Sequence, residues 1–211
     1  MKLRAVETCG GPVLTLATAP YFSEGFAQDA TTLFFGTSVG SGQGAIVSVP
    51  KAGGPATTLA QGELRPSGIA IDDTSSVAVS GSDVFAAGQE GVWKIPVAGG
   101  APELVFSQST LAVRATGSYV VLASPYGIFS LDVSDGTTKR LSDGGNSVCA
   151  SASGVAFASG EIVAVHRVPL LGGIDDIVIA SGATGPGVVA CDATAAYWAG
   201  GGQITRSSVL R

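Results

Sequence analysis

Ser82 to Phe106, SDVFAAGQEGVWKIPVAGGAPELVF, divides into five pieces. Val84–Ala87 is a short apolar run and Gly88–Gly91 a turn with two glycines. Val92–Val97 alternates, Ala98–Pro102 is a Gly-Gly turn, and Glu103–Phe106 is a third short run. Short apolar or alternating runs bounded by glycine-rich turns predict strands joined by hairpins.

The same unit recurs outward in both directions. VSVPKAGGPATTLA (Val47–Ala60), WKIPVAGGAPELVF (Trp93–Phe106) and HRVPLLGGIDDIVI (His166–Ile179) align on Gly-Gly, and FSLDVSDGTTKRL (Phe129–Leu141) is a degenerate copy with Asp-Gly. Pro50, Pro96 and Pro169 align, with Asp132 in the degenerate copy. The second glycines, Gly54, Gly100, Gly136 and Gly173, are spaced by 46, 36 and 37 residues. Upstream lies a second pattern: FAQDATTLFFGT, AVSGSDVFAAG, AVRATGSYVVLAS, CASASGVAFASG and ACDATAAYWAG. Each reads as strand, tight turn, strand, and Asp29 and Asp192 fall at turn positions where a carboxylate bonds the backbone two residues on. Four short strands, A to D, in repeats of about 40 residues predict propeller blades. The expected fold is all-β, a five-bladed β-propeller of four-stranded antiparallel blades, one domain over 1–211. Blades fall near 20–62, 63–108, 109–144, 145–184 and 185–211, the last completed by 8–18.

Two segments depart from regular spacing. GTSVGSGQG (Gly36–Gly44) is expected to be a long B–C loop, and Glu63–Ser76 is an insertion in which either GIAID (Gly68–Asp72) or SSVAV (Ser75–Val79) serves as inner strand. Ala19–Gly25 is read as a link carrying Tyr21 and Phe22. GQITRSSVLR lacks the following Gly-Gly, while CGGPVLTLAT (Cys9–Thr18) is a Gly-Gly turn and D strand without a blade. Pairing Pro12–Ala17 with Gln203–Val209 would close the ring and remove exposed edges. Lys2–Val6 is read as a frayed lead-in.

The chain resembles bacterial secreted β-propeller proteins with repeats of the type A-x-D-x-T-x-x-Y-W … K-V-P-x-x-G-G-x-x-T-x-L-A. The nearest local fits are ACDATAAYW (Ala190–Trp198) and VPKAGGPATTLA (Val49–Ala60); Ala86 stands where Trp198 has an aromatic ring. The resemblance implies the propeller fold and an extracellular or periplasmic setting. It brings no catalytic residues.

Charged residues make up 13% of 211, with a formal net charge of −5. Eleven Lys and Arg scattered singly lack the electrostatic footprint of nucleic-acid binding. No apolar run approaches the roughly 18 residues of a membrane span. Met1–Arg4 is not followed by the apolar stretch of a signal peptide. Of three cysteines, Cys149 and Cys191 lie on inner strands of consecutive blades, offset by one position. Period-two alternation turns them towards each other across the blade interface. The preferred reading is two small buried hydrophobes, with a disulfide as the alternative.

Chemistry is sparse. His166 is the single histidine, on a C strand, and is read as a partly exposed strand residue rather than a triad base. One His and dispersed Cys do not make a zinc site. Asp72-Asp73 and Asp175-Asp176 are the acidic pairs, placed in the insertion and in a C–D turn rather than in the facing arrangement a glycosidase requires. GSGQG (Gly40–Gly44) lacks the Lys and Ser/Thr of a phosphate loop. DATT and DATA offer too few close oxygens for calcium. No cofactor, metal or catalytic residue is therefore assigned. The remaining polar residues collect in B–C loops (Gln43, Gln89, Glu90, Tyr126, Glu161 and Gln203) and D–A links (Glu24 and Asn146), which share one face of a propeller.

The expected function is a non-enzymatic binding or scaffold domain taking a protein, peptide or carbohydrate on that face or in the central channel, as a monomer or in a larger assembly. The alternatives are a glycoside hydrolase or lyase, and a structural module of a surface or appendage assembly. The core is expected from Phe34, Phe85, Val121 and Tyr197 on B strands and Ile46, Trp93, Phe129, Val168 and Ile204 on C strands. Ala78, Ala112, Ala150 and Ala190 suit the crowded inner strands.

Overall fold

The computed structural model describes residues 2–6, 10–18, 26–40, 43–63, 76–145, 147–152, 154–159, 164–171, 177–181, 188–192, 194–200 and 202–207. All regular elements among them are strands. A hairpin of β1 (Lys2–Ala5) and β2 (Leu14–Thr18) comes first. The first sheet holds β3 (Phe26–Gln28), β4 (Thr32–Gly40), β5 (Gln43–Pro50) and β6 (Thr57–Glu63). The second holds β7 (Ser76–Ser80), β8 (Asp83–Gly88), β9 (Gly91–Pro96) and β10 (Glu103–Phe106). The third holds β11 (Ala112–Thr116), β12 (Tyr119–Ser124), β13 (Gly127–Asp132) and β14 (Thr138–Ser142). The fourth holds β15 (Ser147–Ser151), β16 (Gly154–Ser159), β17 (Ala164–Val168) and β18 (Ile177–Ser181). The fifth has three strands, β19 (Val188–Cys191), β20 (Ala196–Gly200) and β21 (Gln203–Ser207). Every pairing is antiparallel between chain neighbours. The chain divides into two compact units, Met1–Ser107 and Gln108–Arg211.

The second strands are buried on both faces: in β8 and β12 every residue after the first is buried. Such strands must be apolar throughout, which is why VFAAG and VVLAS read as continuous runs. In the first unit, Phe34, Ile46 and Leu59 of the first sheet pack on Val77, Val84, Ala86 and Ile95 of the second. In the second unit, Val121, Ile128 and Leu141 of the third sheet meet Val148, Val155 and Phe157 of the fourth. The other face of the fourth sheet packs Ala156, Ala158 and Val165 on Val189, Ala196 and Trp198.

All four complete sheets share a β-bulge between their third and fourth strands. The register skips Leu59, Val105, Leu141 and Ile179, leaving Val47, Trp93, Phe129 and His166 beside it. Bulges kink and twist a strand locally, and here the same station is kinked each time. The second-strand partners of those four residues are Phe35, Ala86, Leu122 and Phe157. In the fifth sheet the pair is Trp198 and Thr205. The aromatic ring changes strand between copies, so Ala86 is compensated by Trp93 across the ladder.

Several expectations are corrected. The strand Leu14–Thr18 pairs with Lys2–Ala5 rather than Gln203–Val209, and β21 has only β20 beside it among the described residues. Lys2–Ala5 is therefore a strand, not a frayed lead-in. Leu3 and Ala5 alternate with exposed Lys2 and Arg4 and pack with Leu16 on Phe35, Ala45 and Val49. Ile204 is 82% exposed on that last strand, whereas Phe34, Phe85, Val121, Ile46 and Val168 are buried as expected. Tyr197, Trp93 and Phe129 are half-buried. Ala78 and Ala112 are buried, Ala150 is half-buried and Ala190 exposed. Gly36–Gly40 and Gln43–Gly44 extend the β4–β5 ladder instead of forming a long loop. SVAVS is the inner strand of the second sheet, pairing with β8; Gly68–Asp72 lies outside the described residues, as do Tyr21 and Phe22.

Cys149 and Cys191 form a disulfide, with Cα atoms 5.7 Å apart. The preferred reading of two free thiols is thus replaced by its alternative. The bond ties β15 to β19, and the Val189 amide donates to Ser147 Oγ across the same pair of strands at 2.9 Å.

Candidate functional site

The residues singled out on the B–C side fall at hairpin positions of different sheets. Gln89 and Glu90 form the exposed turn between β8 and β9, Gln203 opens β21, and Gln43 opens β5 with its side chain outside the described residues. Glu161, Glu24 and Asn146 lie outside the described residues. Tyr126 is 61% exposed in the two-residue turn between β12 and β13.

Tyr126 lines an open cavity of about 480 Å³ together with Gln108, Pro125, Phe129, Arg140 and Asp143. Ligand pockets run from about 300 to 1,000 Å³, a range that includes this volume. Ser124 and Gly127 close the hairpin, and buried Ser124 Oγ accepts the Tyr126 amide at 3.2 Å. Phe129 stands on β13 beside the bulge, opposite Arg140. Arg140 Nη2 donates to the Tyr126 carbonyl at 2.7 Å and lies 3.0 Å from the Asp143 carboxylate. This exposed pair adds only about 0.2–1 kcal/mol to stability; its contribution is position. Gln108 enters from the segment before β11, its carbonyl accepting the Thr110 hydroxyl at 2.9 Å.

Gly127 makes the arrangement possible. Its φ is +146°, and a Cβ there would meet the Ser142 carbonyl oxygen at 2.6 Å and Arg140 Nε at 2.9 Å. The absent side chain lets β14 and the guanidinium lie against the turn. Sequence reading missed Arg140, Asp143 and Gln108 because they are single polar residues on an outer strand and a link. It placed Phe129 in the core, where only part of the ring belongs. The signal present in the sequence was the glycine opening the third strand; the bulge that sets Arg140 over it is visible only in the register.

Asp29, Asp192 and His166 have structural roles. Asp29 Oδ1 accepts the Thr31 amide at 2.8 Å and Asp192 Oδ1 accepts the Thr194 amide at 2.7 Å, the turn geometry expected of both. Bonding to the Thr31 amide lowers the Asp29 pKa, and the Thr194 amide with the Tyr197 hydroxyl holds Asp192 well below the usual carboxylate range. His166 is buried rather than partly exposed, stacked on Phe157 with ring centroids 5.1 Å apart. Asp72-Asp73 and Asp175-Asp176 lie outside the described residues. Among the described residues no group of three or more His, Cys, Asp and Glu could hold a metal ion. The cavity lining contains one carboxylate, Asp143, rather than the pair that glycoside hydrolysis uses.

No family model matches the chain, and no curated protein matches its sequence. Solved structures do match in shape. A chain of the nidogen/laminin complex superposes with a TM-score of 0.65 at 12% identity, over 93% of this chain and 80% of that one. TolB from Acinetobacter baumannii gives 0.59 at 15% identity, over 99% of this chain and 57% of that one. The calcium-binding protein regucalcin from Agrobacterium tumefaciens gives 0.55 at 16% identity, over 92% and 72%. These are β-propeller-type proteins. The fold is of the β-propeller type. In such a fold the four-stranded antiparallel sheets are blades, A to D from the inside out, and the Tyr126 cavity sits where a B–C hairpin meets a D–A link. At these identities the likeness concerns fold alone.

Proposed function

We propose that this chain is a non-enzymatic, five-bladed β-propeller binding domain, the fifth blade being β19–β21, with its ligand on the face formed by B–C hairpins and D–A links. The observation that carries this reading is the cavity joining Tyr126 of a B–C hairpin to Gln108 and Asp143 of the flanking links. A single carboxylate beside an exposed aromatic ring suits recognition rather than hydrolysis. The ligand class is a carbohydrate or a peptide, and the domain acts as a monomer or within a larger assembly. The Cys149–Cys191 bond supports an extracellular or periplasmic setting, since disulfides persist in oxidising compartments.

Hydrogen exchange of the full chain, with a glycan library and then a peptide library, tests the site. Protection of the Tyr126 hairpin by a binder supports the reading. Protection confined to A–B and C–D turns, or turnover of a chromogenic glycoside, overturns it. Intact mass after alkylation under denaturing conditions, on native protein isolated from its source, tests the setting: of the three cysteines, one alkylatable thiol before reduction is expected, and three would exclude the bridge.

A further inference from the structure

We infer that the Tyr126 cavity binds a single pyranose ring of a neutral saccharide. This rests on the loop-face reading above and narrows it. A pyranose has an apolar C–H face and a rim of hydroxyls that each donate and accept. The cavity has the matching halves. Pro125, the exposed Tyr126 ring and the half-buried Phe129 ring supply the apolar part of its lining. Planar, amphipathic aromatic side chains supply contact area while ordering few torsions.

The rim matches too. Arg140 is a pure donor and Asp143 a pure acceptor, held 3.0 Å apart. That spacing lets one hydroxyl, or two neighbouring ones, accept from the guanidinium and donate to the carboxylate. Both the Tyr126 carbonyl and the Asp143 carboxylate are met by Nη2 of Arg140, while its Nε lies over Gly127. The Gln108 amide adds a donor and an acceptor. The Tyr126 carbonyl fixes the guanidinium beforehand, which cuts the ordering cost of binding.

The charge balance narrows the class. Asp143 neutralises Arg140, so a phosphate or carboxylate would meet a repelling carboxylate at the rim. A proline-rich peptide needs a groove lined with aromatic rings, and here the lining holds one exposed ring and one half-buried ring.

The test uses the full chain and an NMR titration that follows the Tyr126 amide and the Arg140 Nε–H. The probes are methyl glycosides of glucose, galactose, mannose and N-acetylglucosamine, a proline-rich peptide, and inorganic phosphate, each taken into the tens of millimolar. At least one glycoside is expected to shift both signals and saturate. Tyr126→Ala should weaken that binding roughly tenfold, about the 1.4 kcal/mol of one lost aromatic contact. Asp143→Asn should weaken it only severalfold. Both positions are exposed, so unchanged melting temperatures show that the fold is kept. The inference is overturned if peptide or phosphate shifts these signals while every glycoside is silent, although a loop-face site would then stand. It is equally overturned if glycosides shift only residues elsewhere, if Tyr126→Ala binds as tightly as the parent, or if all probes are silent.

Discussion

The second and third blades share one frame. Each opens its C strand with a glycine of positive φ, Gly91 at +138° and Gly127 at +146°. Each has its bulge one step later, and each lays a D-strand side chain over that glycine: Leu104 in the second blade, Arg140 in the third. The B–C turns differ as well, Gln89–Glu90 against Pro125–Tyr126. So the backbone demands a glycine and a bulge, while the residue that roofs them is free to vary. Leucine completes an apolar surface there, and arginine brings a guanidinium held by the Tyr126 carbonyl. On the proposed reading, function lives in the roof and the turn, not in the frame.

The most severe break of the comparison is at the glycines. A Cβ on Gly91 would lie 1.9 Å from the Phe106 carbonyl oxygen, and one on Gly127 2.6 Å from that of Ser142. Both obstacles are backbone. Gly91→Ala is expected to abolish the folded state, and Gly127→Ala to cost at least about 3 kcal/mol. Urea unfolding measures this; two variants within ~1 kcal/mol of the parent would show that the frame is not tight.

Next come Phe85 and Val121, which occupy the same B-strand station opposite Lys94 and Ser130 and are both fully buried. Phe85→Ala should cost about 3–5 kcal/mol. Val121→Ala should cost about 2 kcal/mol, since it deletes two buried carbons at ~0.8 kcal/mol each and leaves a small cavity. Equal losses in chemical denaturation would mean the two stations are not equivalent.

Exchanging the roofs separates frame from function. Arg140→Leu and Leu104→Arg should each leave stability within about 0.5 kcal/mol of the parent, as partly exposed changes do. Arg140→Leu should nevertheless erase ligand-induced shifts at Tyr126. Leu104→Arg should create no site, because Gln89–Glu90 provides no platform. A thermal melt alongside the titration checks both halves.

The smallest effect is one of pH. Asp132 ends the C strand of the third blade where the second has Pro96. Its carboxylate accepts the Ser134 hydroxyl and amide at 2.6 and 2.9 Å, which lowers its pKa below the ordinary value. A depressed folded pKa adds stability above the unfolded pKa that is lost as pH falls below about 4 towards the folded value. Asp132→Asn should therefore flatten the acid limb of the melting-temperature profile slightly and leave the neutral plateau nearly unchanged.

Much of the frame was legible because blade turns are written in glycine. Glu103–Phe106 was bounded as observed, and β8 and β9 within a residue of each end. Pairing partners were less legible. Ala86 looked like a defect beside Trp198 until the register placed Trp93 opposite it. Lys2–Ala5 stood outside the repeat, so its alternation carried no weight against a repeat-based partner for β2. The disulfide could be placed on facing strands but not told from two buried thiols, since both readings predict the same burial. Of the site, only Tyr126 was named. Arg140 depends on a one-residue bulge, and a skip in register leaves no mark in a single strand's composition.

Because the bulge falls at the same station in both, Gln89–Ser107 and Pro125–Asp143 are of equal length and occupy equivalent ladders. They are interchangeable parts. Transplanting Pro125–Asp143 into the second blade would carry turn, glycine, roof and rim together, duplicating most of the cavity in one chain. A repetitive ligand would then be held by linked contacts, with avidity set by effective concentration rather than by any new chemistry. A blade-by-blade repeat of this kind lets the valency of a binding protein change by copying one outer hairpin.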